Sequence, residues 1–461
     1  MMKLPLSPPA LELIFNKYPN LFRDLERHFR SGADVDGRYE HWDHLRHLTP
    51  PEGLNSETWW ASLKLARAAR SRPLPLTDKA GRPMTVVLTD AFQRRLHLLD
   101  RSASGSFAEL VEDTDRRTRD GYLARSLIEE AMTSSQLEGA STTASVAKAM
   151  LRSNRSPRDK SERMIVNNYR ATLALDRWVE QPLTPERIFE IHRLITDGTL
   201  DDADTAGRLR NDDEAVHVID DSSQRVLHEP PPARELGDRL ERLCAFANDE
   251  RAQPFLHPVI RAIAIHFQVG YDHPFVDGNG RTARTLFYWS MLRSGYWLSR
   301  FLSISSVIRR KPADYKRAYL YAESDANDLG YFIEHQLEVM DRAFDGLRQY
   351  IHRKRAERRD GAGLLRANSR FGASLNHRQR RLLEHALKHG DHAYTIAEHQ
   401  QRHAVTYQTA RTDLLDLADR KLLELRKEGR AFTFFAPLGL AARIREEGGR
   451  ADDQRPPASD P

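Results

Sequence analysis

The sequence predicts a mainly α-helical chain, with one small β-hairpin inside the helical part and a small helical unit closed by a second hairpin towards the C-terminus. Three observations carry this. Apolar residues recur at helical spacing over Leu123–Met132, Ile165–Val179, Arg187–Ile195, Ala233–Ala247 and Val259–Tyr271. One stretch, 205–230, breaks the period: Val216-His217-Val218-Ile219 and Val226 flank a polar turn at Asp220–Ser223, the pattern of a hairpin. After residue 373, three amphipathic runs give way to two strand-like runs about Gly429.

Bulk properties bound the rest. At 461 residues the chain exceeds the ~100–200 of one domain, so two or three are expected. Hydrophobic residues make up 40%, enough for ordinary cores. No uncharged apolar run reaches the ~18 residues of a membrane span, so no membrane contact is expected. The start, Met1-Met2-Lys3-Leu4-Pro5, lacks an apolar signal core. The one cysteine, Cys244, excludes an intrachain disulfide and any Cys₄ or Cys₂His₂ zinc site. That usage suits a reducing cytoplasm. A net charge of +5 on a chain with 30% charged residues permits phosphate or nucleic-acid contacts without requiring them. Most of these charges read as a solvated mixed surface.

Taken in order, residues 1–104 read as an accessory domain of unreadable function. Trp59-Trp60 head a helix, Pro73, Pro75, Gly81 and Pro83 punctuate the segment after it, and Met84–Leu88 reads as a short strand. Residues 105–350 form the main helical domain, with Pro185 and Pro258 at first-turn positions. Residues 351–372, rich in Arg with Gly361, Gly363 and Gly372, read as a linker. A third unit covers 373–437. Residues 438–461 read as a helical end and a tail, disordered after Glu446.

The chemistry concentrates in 257–294. The helix ending near Tyr271 must stop at His273-Pro274, because proline disfavours α geometry in the residue before it. Asp277-Gly278-Asn279-Gly280 is a tight turn in which glycine lets backbone approach a ligand. A second helix opens at Gly280 or Arg281. A glycine-rich turn that starts a helix exposes free N–H groups and a positive dipole end, which is an anion site. Arg281 and Arg284 stand three apart on one face of the first turn, where both can reach one polyphosphate. Asp277 is a hard oxygen ligand of the kind magnesium uses beside phosphate. His273 is the loop's group with an ordinary pKa near neutrality.

The run His273-Pro274-Phe275-Val276-Asp277-Gly278-Asn279-Gly280-Arg281-Thr282-Ala283-Arg284 resembles the Fic signature at every defined position, and the likeness spans roughly 105–345. The resemblance implies an all-helical Fic core and transfer of AMP from ATP to a protein hydroxyl, on another protein or on the chain itself. His273 would take the hydroxyl proton, Asp277 would hold Mg²⁺ between the α- and β-phosphates, and Asn279 with the amides of Gly278 and Gly280 would cradle phosphate oxygens. Arg281 would neutralise charge as pyrophosphate leaves, Arg284 would grip the γ-phosphate, and Phe275 would anchor the loop. Phosphoryl-type transfer depends mostly on positioning and charge neutralisation, which agrees. The segment from Gly207 and Arg210 through Val216, His217 and Val218 to Val226 resembles the Fic flap, which docks a target by strand addition. Removal of AMP at the same site stays open as the physiological direction, and so does a homodimer.

Two further segments carry expectations. Ser134-Ser135-Gln136-Leu137-Glu138-Gly139 ends a helix of about 125–139 with a C-terminal glycine. A carboxylate there opposes the macrodipole, so Glu138 is expected to have a cationic partner. The run resembles the Fic inhibitory motif, in which that glutamate pairs with the signature's second arginine, here Arg284. Over 373–437, the runs Leu375–Leu387, Tyr394–Gln400 and Thr406–Leu417 followed by a hairpin resemble a winged helix-turn-helix. DNA would then meet Tyr407, Gln408, Arg411 and Thr412 in a major groove and Arg430 at phosphate. Asp413 and Asp416 weigh against that contact. The alternative function is accordingly a nucleotide-responsive DNA-binding regulator.

Overall fold

A computed structural model describes residues 3–24, 32–104, 116–153, 155–214, 216–220, 223–251, 253–366, 369–390, 392–428 and 431–453. The chain is mainly α. Its contacts divide it into two compact units, one of 1–104 with 125–344 and one of 105–124 with 345–461.

After short helices at Leu11–Lys17 and Trp42–Leu45, the first unit continues with helix α1 (Ser56–Ala68), the ribbon β1 (Arg72–Thr77) and β2 (Pro83–Val86), and helix α2 (Asp90–Ser104). The sequence draws a domain boundary at 104/105, but this segment packs directly on residues 325–331. Arg67, 1% exposed, donates to the Tyr331 hydroxyl at 2.8 Å and to the carbonyls of Ala33 and Glu40. Tyr39 donates to Asp328 at 2.6 Å, and Lys64 pairs with Asp325 at 2.8 Å. A buried guanidinium needs all its donors met, and these partners lie on both sides of the expected boundary.

Helix α3 (Arg116–Leu137) comes next and, past a helix at Ala144–Ser153, α4 (Lys160–Trp178) and α5 (Pro185–Thr196). Asp159 caps α4 and Thr184 caps α5, each accepting from an N3 amide. The hairpin β3 (Val218–Asp220) and β4 (Arg225–His228) is antiparallel and pairs Ile219 with Val226. The tip of its expected turn, Asp221-Ser222, lies outside the described residues. Helix α6 (Leu236–Asn248) leads to the central pair, α7 (Pro258–Asp272) and α8 (Asn279–Arg293). Nearly all of α7 is buried, including Ile260, Ile263, Ile265 and Phe267, and α8 buries Leu286, Phe287 and Trp289 against it. A helix apolar on all sides belongs in a core, so the loop between these two helices is held by the interior. Helices α9 (Ile304–Arg310) and α10 (Pro312–Ser324) close the unit.

Helix α11 (Gly330–Leu364) runs through most of the expected linker. Gly361 and Gly363 cost helix propensity but do not break it, and Ile351 and Leu365 are buried. The C-terminal unit contains α12 (His377–Lys388), β5 (Ala393–Thr395), α13 (Ile396–His403), α14 (Tyr407–Asp419), β6 (Glu424–Glu428), β7 (Ala431–Phe435) and α15 (Leu440–Asp453). Its three-stranded sheet has the order β5-β7-β6 over a core of Leu383, Leu414, Leu417, Phe434 and Ile444. Helix α15 runs past Glu446, where the sequence suggests disorder, to Asp453. Arg430 and residues 454–461 lie outside the described residues.

Candidate active site

The catalytic-type loop starts where α7 is tied down. Asp272, buried at the last position of α7, pairs with Arg239 at 2.7 Å and accepts from Gln268. Arg239 also donates to the carbonyls of Thr77 and Asp78. His273 then takes φ 42° and ψ 59°, the left-handed region that a non-glycine residue enters only when its surroundings demand it.

Its ring is oriented by a backbone oxygen. Nδ1 of His273 lies 2.7 Å from the Gly270 carbonyl. A carbonyl only accepts, so Nδ1 carries the proton and Nε2 keeps its lone pair. Burial lowers the His273 pKa, only partly offset by that carbonyl. The group is therefore poised as a neutral base. It lines a cavity of about 750 Å³ shared with Glu138, Val218, Gly280, Arg284 and Tyr315.

The loop beyond it is pinned from inside. Phe275 is fully buried and stacks on His192 of α5 with ring centres 3.7 Å apart. His192 bridges two backbone groups: Nε2 donates to the Asp277 carbonyl at 2.8 Å, and Nδ1 accepts from the Gly207 amide at 2.9 Å. This ring is therefore the opposite neutral tautomer, and burial drops its pKa to about 4. Asn279 spans the turn, accepting from the Phe275 amide and donating to its carbonyl. Its side chain thus shapes the loop through Oδ1 and one Nδ2 hydrogen, a part the sequence did not suggest. Gly278, at φ 84°, starts α8 without any side-chain cap. The neighbouring α4, α5 and α7 all have one. The first amides of α8 are left for an anion.

The two arginines lie on one side of that helix start. Arg281 is fully buried, donates to the Ile195 carbonyl at 3.2 Å and lies 3.5 Å from the Asp277 carboxylate. Its Nε and Nη2 have no hydrogen-bond partner among the described residues. Arg284, 2% exposed, donates through Nε to the Ser134 hydroxyl at 2.8 Å. Its Nη2 reaches the Ser134 carbonyl at 3.0 Å and Glu138 Oε1 at 2.9 Å. Burial would raise the Glu138 pKa, but the Arg284 and Arg281 guanidiniums outweigh it and hold the carboxyl below its ordinary value. Gly139 ends the helix at φ 94°. The carboxylate crowds the start of α8: a Cβ at Gly280 would come 2.2 Å from Glu138 Oε1.

Among the described residues no three His, Cys, Asp or Glu side chains converge on a metal position. Asp277 is a half-open carboxylate, 44% exposed. It fits a cation that takes one protein oxygen and draws its other ligands from phosphate and water.

The expected flap divides in two. Val218 pairs with His228 in the hairpin, with Val216 and His217 just before the strand. Gly207 and Arg210 are instead loop supports. The Arg210 amide donates to the Pro274 carbonyl at 2.9 Å and its Nε to the His273 carbonyl at 2.8 Å. A buried arginine satisfies backbone oxygens before it can face a partner.

Sequence reasoning missed His192, Arg239 and Glu130. His192 had a signal, a polar ring on the apolar stripe Ile188, Ile191, Ile195 of α5. In the C-terminal unit Tyr407 is 54% exposed, and Gln408 and Thr412 are exposed beside it on α14. Asp413 does not face outwards with them. It is buried against Arg378, His399 and Asn376, and Asp416 takes Gln379 and Arg420.

No helix of the described residues is long and apolar enough to cross a membrane. The proteins named Protein adenylyltransferase Fic of Drosophila virilis and Drosophila melanogaster are each 41% identical to the chain over 69 residues. That stretch is 15% of this chain and 14% of theirs. A Fic family protein from Desulfovibrio desulfuricans G20 superposes with a TM-score of 0.48 at 18% identity, over 74% of this chain and 96% of that one. Fic-1 from C. elegans does so at 0.46 and 18%, over 74% and 84%. Residues 182–291, which contain α5, the hairpin, α7, the loop and most of α8, match the Fic/DOC family. The chain carries a Fic/DOC-family domain at residues 182–291.

Proposed function

We propose that the chain is a protein adenylyltransferase that moves AMP from ATP onto a serine, threonine or tyrosine hydroxyl of a protein, itself included. One observation carries the reading. A ring nitrogen kept free of its proton, His273 Nε2, shares a loop with an uncapped helix start and two buried guanidiniums. The names of the curated relatives add support.

His273 Nε2 accepts the hydroxyl proton as that oxygen bonds to the α-phosphorus. The bond from that phosphorus to the bridging oxygen breaks, and pyrophosphate leaves with the electron pair. Arg281, whose Nε is unspent and whose Nη2 makes only the long contact to Asp277, and the first amides of α8 meet the charge on the phosphates. Arg284 holds the terminal phosphate once Glu138 lets it go. Asp277 is the loop oxygen for Mg²⁺, which when bound shields phosphate charge. The target backbone adds along β3, led in by Val216 and His217.

Glu138 acts in this reading as a brake, because the guanidinium it occupies is the one the terminal phosphate needs. Intact-mass spectrometry after incubation with ATP and Mg²⁺ tests the activity. An added AMP is expected in the wild type or in Glu138→Gly, and none in His273→Ala. An adduct that survives His273→Ala removes the proposed base.

A further inference from the structure

The brake has a second contact two turns back along its helix. Residues 130, 134 and 138 are spaced i, i+4, i+8, which places them on one face of α3 and its continuation. Ser134 and Glu138 grip Arg284. Glu130 grips something else. Its Oε2 accepts from the Ser303 hydroxyl at 2.9 Å and the Ser305 amide at 3.0 Å, and its Oε1 accepts from the Ser305 hydroxyl at 2.5 Å. Glu130 is 3% exposed and Ser305 fully buried. All three hydrogen-bond donors are neutral groups; burial raises the Glu130 pKa, and these bonds together with the nearby Arg284 charge offset it only in part.

The receiving segment is itself fastened to α8. The Tyr288 hydroxyl donates to the Leu302 carbonyl at 3.1 Å and accepts from the Ile304 amide at 3.0 Å. Tyr288 lies four residues after Arg284, one turn further along the same helix. Helices α3 and α8 are therefore joined twice. One joint is the direct clamp of Ser134 and Glu138 on Arg284. The other runs from Glu130 through residues 302–305 to Tyr288.

Glu138 lies just past Leu137, the last residue of α3, in the closing turn where the Ala140 amide donates to the Ser135 carbonyl at 3.0 Å, so where its carboxylate points follows from where α3 ends. Side chains of that kind need a fixed helix behind them to stay in one geometry, since ordering them costs rotamer entropy. We propose that Glu130 is a positioning residue for the brake: its triple contact with Ser303 and Ser305 sets the register of α3 on α8 and so aims Glu138 at Arg284. This rests on the brake reading of Glu138. It adds that the strength of the brake is tuned at a buried site that touches neither nucleotide nor target.

The test compares the rate of AMP incorporation from α-labelled ATP in four full-length proteins: wild type, Glu130→Gln, Glu138→Gly and the double variant. Ser305→Ala accompanies them, because it removes one hydroxyl, leaves the backbone contact and threatens the fold least. The expected result is a rise of roughly three- to tenfold for Glu130→Gln and for Ser305→Ala, the scale of one ordinary hydrogen bond, below the rise for Glu138→Gly. The double variant should match Glu138→Gly within about twofold, since there is no brake left to aim. A role in folding alone would instead lower the rate by the same factor in both backgrounds, and that overturns the proposal. So does a wild-type rate in Glu130→Gln and Ser305→Ala when Glu138→Gly is fast. If Glu138→Gly itself is no faster than wild type, the brake reading falls, and the aiming role falls with it.

Discussion

Removing the Glu138 carboxylate should make the protein less stable and more active at once. In the free protein Arg284 is 2% exposed, and Glu138 supplies its one anionic partner among three acceptors. Breaking a fully buried pair costs about 3–5 kcal/mol, because a bare charge stays behind. Here the Glu138 side chain keeps 22% of its surface, so water can enter the gap. The loss should fall nearer the roughly 1.5–3 kcal/mol of a hydrogen bond to a charged group. The freed guanidinium is then available to a triphosphate in the same geometry. If the contact returns in the transition state, the rate rises by about 1.5–3 kcal/mol of stabilisation, roughly ten- to hundredfold. The two effects separate in a thermal-shift series. Glu138→Gly without nucleotide should melt a few °C below wild type, and ATP with Mg²⁺ should raise it more than it raises wild type, since a ligand of the native state stabilises by mass action. Label incorporation is measured on the same samples. A variant that melts with wild type and gains no extra protection from ATP would refute the pairing argument, whatever its rate.

Single contacts elsewhere in the site have consequences of their own. Gly280→Ala puts a Cβ 2.2 Å from Glu138 Oε1, so it should evict the carboxylate and also fill the space at the start of α8. Rate and ATP protection should both fail to rise, and a rise of either in the incorporation or melting assay would show that the space is not needed by phosphate. The buried His192, with its pKa lowered to about 4 from 6.5, must stay neutral when folded. The unfolded chain takes up a proton first as pH falls, so the stability this ring contributes is complete above about pH 6.5 and is lost towards pH 4, on the order of 3 kcal/mol. Urea midpoints measured across that window should fall with pH in wild type and fall less steeply in His192→Asn; equal slopes would count against the assignment.

The loop itself is legible in the sequence because its cues are local. Pro274 ends a helix, Gly278 turns the chain, and the arginines come after at one-face spacing. Such cues depend on nothing distant. Asn279 reads as a phosphate cradle because an amide in a glycine turn can do that. Whether it does depends on where the Phe275 backbone lies, and this is set by His192, far off in the chain. Gly207 and Arg210 read as flap residues through their proximity in sequence to Val218, yet the free carbonyls of His273 and Pro274 draw Arg210 under the loop. Asp413 reads as an outward anion because helical period alone cannot tell a capped buried carboxylate from a solvated one. That residues 1–104 pack on the helical core is hidden for the same reason, since a partner of Arg67 lies 264 residues away in the chain, at Tyr331.

The two imidazoles of the loop differ in what a proton would do to them. At His273 the vacant nitrogen makes no hydrogen bond to the described residues, while the other already donates to Gly270. Charging the ring there breaks nothing and even strengthens the bond it has. At His192 the nitrogen without hydrogen is the one on which the Gly207 amide rests, so a proton arriving there would push two N–H groups against each other and loosen Phe275 and the turn. The fold has therefore sorted a pair of chemically identical side chains, both held against the same short loop, into one that can change charge during a turnover and one that never should.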